Sequence, residues 1–190
     1  MCASRLHRIA MPGEAAPAGF EQPFEMLSAC HQRVERMLGL IQRIREHLPT
    51  HGCDAQVAQA ALDVIRYFDE AAPRHHEDEE LHVFPALLAQ GDTAVRVVTE
   101  RLIEDHRQML GLWAAMRALL QSLAQAQADG ARALSDDENR LLDAFDALYR
   151  RHLHEEDQLA YPAARRILTD TALATMSEDM QVRRGVAPAR

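Results

Sequence analysis

The sequence predicts an all-α protein, an up-down-up-down four-helix bundle with a short C-terminal helix or tail. Four long segments carry apolar residues at steps of three and four. No run alternates apolar and polar residues for long enough to make a strand. The 190 residues include only 8 Gly and 8 Pro, too few for the turns of a β-sandwich.

The first helix is expected from about Glu21 to Leu48, stopping before Pro49. Its stripe is Phe24, Leu27, Val34, Leu38 and Ile41, with His31 set between Leu27 and Val34. The second starts after the N-cap Asp54 and carries Leu62, Ile65 and Phe68. Pro73 removes a backbone donor and crowds the preceding turn, so a kink or short break is expected there. The pattern resumes through Glu79 and Val83 and fades by Gly91. The third helix runs from Asp92-Thr93 to about Ala128, with the stripe Val95, Val98, Leu102, His106, Met109, Trp113, Met116, Leu120 and Leu123. The fourth opens on a capping box, Ser135 with Glu138, and carries Leu141, Phe145, Leu148, His152, Glu156 and Leu159. Pro162 kinks or ends it. The expected organisation is a flexible tail over 1–19, a bundle over 20–169 and a short helix and tail over 170–190.

Composition narrows the function. The hydrophobic fraction of 47% supports one sizeable core. A net charge of -8 disfavours nucleic acid and anionic membrane as partners. All 21 basic residues are Arg, so there is no lysine for a Walker-type phosphate loop or a Schiff base. No apolar run reaches the length of a membrane span or of a secretory signal core. Three cysteines, Cys2, Cys30 and Cys53, make no paired framework, which fits a reducing cytoplasm. Ten histidines are the one compositional excess.

Four of those histidines lie on the inward stripes, one per helix. A single buried His is usually a hydrogen-bonded core residue. Four imidazoles and two carboxylates in one apolar core would be costly without a cation. The strongest pattern is repeated: His75-x3-Glu79 is followed by Pro85, and His152-x3-Glu156 by Pro162, each proline ten residues after its histidine. Residues i and i+4 share a helix face, so each pair can address the same ions. The chain also repeats as a helical hairpin. His31 and His75 are 44 residues apart, His106 and His152 are 46 apart, and Leu-Gly-Leu follows both His31 and His106. The metal set is therefore His31, His75, Glu79, His106, His152 and Glu156. Competing frames are His76 with Glu80, His31 with Glu35, and His152 with Asp157. His82 reads as packing or support. His7, His47, His51 and His154 read as solvated. Glu77, Asp78, Glu80, Glu155 and Asp157 read as an acidic solvated face.

The stretches HHEDEELHVFPAL and RHLHEEDQLAYPA, with the lone histidines of SACHQRVERML and IEDHRQMLGLW, resemble the hemerythrin-like (HHE cation-binding) domains of bacterial type. The resemblance covers roughly Phe20 to Leu168. It implies a four-helix bundle holding two non-heme irons on the six residues already reached by spacing, with zinc or manganese as other ions that imidazole and carboxylate suit. It implies a small diatomic or peroxide ligand (oxygen, nitric oxide or peroxide) in sensing, detoxification or iron handling. A diiron enzyme of the peroxidase or iron-sulfur-repair type is the alternative, and a ferritin-like iron oxidase is the weakest reading. The oxygen carriers place two histidines four apart on the third helix; here Leu102 and Leu110 flank His106 at those positions. Their fourth helix also uses a five-residue His-to-Asp step, where this chain offers His152 and Glu156. Neither departure favours oxygen transport. A monomer or homodimer is expected, with no catalytic residue assigned.

Overall fold

The computed structural model describes residues 19–126 and 130–186, and the described residues are helical with no strand. The predicted N-terminal tail, apart from Gly19, lies outside them, as do His7 and Cys2. Helix α1 spans Pro23–His51 and α2 spans Ala55–Asp78. A π-helical turn, Glu79–Val83, leads directly into α3, Phe84–Gln90. Helix α4 spans Thr93–Gln125 and α5 spans Asp136–Glu155. A second π turn, Glu156–Ala160, leads into α6, Tyr161–Ile167, and α7 closes the described chain at Asp170–Arg183. Helix α2 packs on α1 and α4, and α5 packs on α4 and α1, so the four long helices close a bundle.

Local chemistry accounts for most boundaries. Asp54 caps α2, accepting from the N–H groups of Gln56 and Val57. Ser135 and Glu138 form the predicted capping box. Helix α1 does not stop before Pro49 but runs to His51. It ends at Gly52, whose φ of 69° is in the left-handed region. A Cβ there would also lie 1.9 Å from the Gly130 carbonyl oxygen, so the crossing loop excludes any side chain.

Of the kink or short break expected at Pro73, the break is absent. Pro73 sits on the exposed side of an unbroken α2, where water can satisfy the carbonyl it leaves unpaired. The irregularities fall instead before Pro85 and Pro162. There the Phe84 N–H bonds back to the Glu79 carbonyl, and the Tyr161 N–H to the Glu156 carbonyl. A five-residue step widens the turn and relieves the clash between a proline ring and the preceding carbonyl. It also advances the buried face by one position. Leu159, expected inside, is exposed, and Ala160 and Tyr161 are buried in its place. Leu62 is likewise exposed, the inward positions of α2 being Val57, Ala61, Val64, Ile65 and Phe68.

Two apolar clusters form the core. One includes Val34, Leu38, Phe68, Met109, Met116 and Phe145. The other includes Phe24, Leu27, Phe84, Leu102, Tyr161, Met176 and Met180. The break between them falls at His31 on α1, between Leu27 and Val34, and at His106 on α4, between Leu102 and Met109.

Helix α7 does more than trail the bundle. Met176 and Met180 enter the second cluster, and Arg183 and Arg184 reach the fully buried Asp78 at 2.6 and 2.5 Å. Asp78, expected on a solvated face, is thus a buried anchor. Removing both guanidiniums would leave a buried carboxylate unpaired. The double variant Arg183→Ala/Arg184→Ala is expected to lose about 3–5 kcal/mol of stability, read from the shift of a urea unfolding midpoint. An unchanged midpoint would show that α7 contributes little to the bundle.

Candidate metal centre

The two π turns bring a carboxylate each into the break between the apolar clusters. His75 and Glu79 come from α2 and its π turn, His152 and Glu156 from α5 and its π turn, His31 from α1 and His106 from α4. All six are buried. They form two overlapping groups, His31, His75, Glu79 and Glu156, and Glu79, His106, His152 and Glu156, whose ligand atoms within each group lie within 4.8 Å of one another.

The carboxylates are shared atom by atom. Glu79 turns Oε1 to His75 Nε2 at 3.6 Å and Oε2 to His106 Nε2 at 3.5 Å. Glu156 turns Oε2 to His31 Nε2 at 3.2 Å and Oε1 to His152 Nε2 at 2.9 Å. Short as these separations are, neither oxygen of Glu156 has a partner in hydrogen-bond geometry. Glu79 Oε2 and both nitrogens of His75 are also buried without a partner. His106 Nε2 and His152 Nε2 face each other at 3.2 Å. Each unsatisfied buried polar atom costs about 1–3 kcal/mol. Lone pairs that converge on common points, and not on donors, are what cations between them would satisfy. The donor set therefore fits two ions bridged by two carboxylates.

Further carboxylates fix the ring tautomers. His31 Nδ1 donates to Asp157 at 2.9 Å, and His106 Nδ1 donates to Glu80 at 2.7 Å. A carboxylate only accepts, so each Nδ1 carries a hydrogen, and Nε2 is the nitrogen that would give up its proton and turn a lone pair to a cation. His152 Nδ1 lies 3.4 Å from Asp105, itself held by Arg151 at 2.6 Å. The Tyr161 hydroxyl donates to Glu79 Oε1 and lies 3.0 Å from His31 Nε2. Phe84, its counterpart before Pro85, places only a ring against His106, at 5.4 Å between centroids.

The electrostatics follow. With no cation between them, burial alone would push His31 and His152 down. The Asp157 and Glu156 carboxylates outweigh burial at His31, and Glu156 and Asp105 do so at His152, raising both to about 10. Burial, then the neighbouring Glu156 charge, raises Glu79 to about 7. Burial opposes Glu156, yet the flanking His152 and His31 hold it well below the ordinary carboxylate range. Burial, then His31, pushes His75 well down.

All six predicted residues meet here. Of the competing frames, Glu80 and Asp157 orient histidines and are not in the two groups, His76 stacks on His106 at 3.9 Å, and Glu35 is exposed. Glu80 and Asp157 thus do not belong to a merely solvated face. His82 pairs with Asp179 of α7 at 2.7 Å, away from the centre. His51 and His154 are exposed; His47 is half-buried and pairs with Asp54 at 2.9 Å. The parts not anticipated are Asp105 and Tyr161. The acid that follows each shared glutamate, Glu80 after Glu79 and Asp157 after Glu156, was the readable sign that a second carboxylate belongs to the design.

Two overlapping buried His/Glu groups that share two glutamates, inside a helical bundle, define the class. The family model of the hemerythrin HHE cation binding domain matches residues 22–164, and the chain belongs to that family. An "Uncharacterized protein" of Haemophilus influenzae (strain ATCC 51907 / DSM 11121 / KW20 / Rd) is 31% identical over 169 residues, 89% of this chain and 94% of its own. Among the described residues no helix is long and apolar enough to cross a membrane.

Proposed function

We propose that the chain is an up-down-up-down four-helix protein that binds two iron ions on His31, His75, Glu79, His106, His152 and Glu156. It meets oxygen, nitric oxide or peroxide there, in the cytoplasm. The observation that carries this reading is the sharing of Glu79 and Glu156 by both ligand groups. Bound iron would supply redox and oxygen chemistry. The chain supplies the rest. Asp157, Glu80 and Asp105 orient three imidazoles, the two apolar clusters limit water, and Tyr161 holds a proton beside Glu79 Oε1. The ferritin-like reading loses support, since His82 of Glu79-x-x-His82 faces α7.

The protein is expected not to carry oxygen reversibly. Leu110, where a carrier has an additional histidine, is exposed and turned from the centre, and Leu102 at the other position is buried apolar packing. Fewer imidazoles leave positions that oxygen donors fill, which favours the ferric state. Stopped-flow mixing of ferrous-loaded protein with oxygen should show rapid oxidation that deoxygenation does not reverse. A long-lived spectrum that deoxygenation reverses over many cycles would restore the carrier reading.

A further inference from the structure

The two halves of the centre are related by the internal repeat, yet their supports differ. His106 Nδ1 rests on Glu80, and His152 Nδ1 faces Asp105, which Arg151 holds. On the other half His31 Nδ1 rests on Asp157, but His75 Nδ1 is buried with no partner. The sequence shows where the repeat is broken. Asp105 precedes His106, whereas Cys30 precedes His31, so the first half lacks the acid that would back its second histidine. A carboxylate behind a ligating imidazole fixes its tautomer and makes it a stronger donor. His75 has neither benefit.

An independent contact points the same way. The Tyr161 hydroxyl lies against His31 Nε2 and Glu79 Oε1, two atoms that a cation on the first half would use. An ion entering there must displace that contact. Phe84 has no hydroxyl to offer His106, and the contact an ion must open on the second half is the 3.2 Å approach of His106 Nε2 and His152 Nε2, which joins two of that position's own donors and involves no outside group.

Resting on the diiron-type reading above, we infer that the two cation positions are inequivalent and that the His106/His152 position binds first and more tightly. Asp105 is the positioning residue that makes the difference, acting through His152. The inequivalence allows a singly loaded protein at limiting metal, with the His31/His75 position free.

Co2+ added alone at fixed pH and without oxygen, followed by calorimetry and visible absorption, tests this on single-position variants. His75→Ala leaves the second position whole, and His152→Ala leaves the first. Should either fail to fold by circular dichroism, His31→Ala and His106→Ala replace them. The His75→Ala protein should bind one Co2+ at least about tenfold more tightly than the His152→Ala protein. Adding Asp105→Asn should weaken binding about tenfold in the first background and leave the second unchanged. Equal affinities, the reverse order, or an Asp105→Asn effect common to both backgrounds would overturn the inference while leaving a two-ion centre. Absence of Co2+ binding to the unmodified protein would instead overturn the reading on which it rests.

Discussion

Glu156→Ala is expected to empty both cation positions, whereas His75→Ala is expected to empty one. Each histidine belongs to one ligand group, but Glu156 belongs to both and presents a separate oxygen to each. Deleting it removes one of four donors from each position at once. It also leaves His31 Nε2 and His152 Nε2 without the negative charge that draws a cation between them. Deleting His75 removes one donor from the first position and leaves Glu79, His106, His152 and Glu156 intact around the second. Elemental analysis after anaerobic iron loading and desalting should therefore read near two ions per chain for the unmodified protein. It should read near one for His75→Ala and near none for Glu156→Ala. Glu156→Gln keeps the shape of the side chain and should still lose most of the metal, which separates lost ligation from lost packing. Glu80→Ala is the contrasting case. It removes only the support behind His106, so two ions should still load, with affinity at the second position weakened about 10–100-fold. Two tightly held ions in Glu156→Ala would show that the carboxylate does not bridge.

The centre was legible in the sequence because its residues obey helical arithmetic. His31 and His106 replace apolar residues on stripes that are otherwise regular, and His75/Glu79 and His152/Glu156 hold an i, i+4 spacing within α2, α5 and their following turns. The capping box at Ser135 was legible for the same reason, since it depends on two residues three positions apart, Ser135 and Glu138, and local hydrogen bonds.

What escaped lies beyond local periodicity. A regular 3.6-residue period carries Leu159 inward, but the π turn before Pro162 inserts one residue and brings Tyr161 inward instead. A reader who assigned the proline a wide turn, and not merely a kink, would have found Tyr161 and Phe84 as a pair. Asp78 and Asp105 look like ordinary surface acids in sequence. Only packing shows Arg183 and Arg184 of α7 on one and Arg151 and His152 of α5 beside the other. Pro73 and Pro49 misled for the opposite reason. A proline costs a helix less where the carbonyl it orphans can find water, and Pro73 and Pro49 are both exposed.

Removing the metal is expected to lower the melting temperature, and to lower it further as pH rises from 6.5 to 9. A cation held at about a hundred times its Kd adds about 2.7 kcal/mol per position. For a chain of this length two such positions correspond to about 10–20 °C. The pH dependence comes from the groups that the cation displaces. In the metal-free protein His31 and His152 have their pKa values raised to about 10 by Asp157, Glu156 and Asp105. A histidine raised above its unfolded value of about 6.5 stabilises the fold fully below that pH. That stability is lost as pH climbs toward 10, at up to about 1.4 kcal/mol per pH unit for each ring. Glu79, raised to about 7, acts in the same direction between its ordinary range and neutrality, because the fold favours its uncharged form. His75 and His76, both pushed well down by burial and by neighbouring histidines, act below this window and together outweigh Glu79 there. Their lowered pKa values mean that the unfolded chain takes up protons the fold resists, so stability falls as pH drops below about 6.5. The metal-free protein should accordingly melt highest near pH 6.5. The loaded protein uses deprotonated imidazoles, so its melting temperature should hold or rise over the same interval. Scanning calorimetry of chelated and iron-loaded protein at pH 6.5, 7.5 and 9 measures the gap directly. A gap that stays constant across those values would mean that His31 and His152 do not exchange protons for metal, and an absent gap would place the bound ions outside the core.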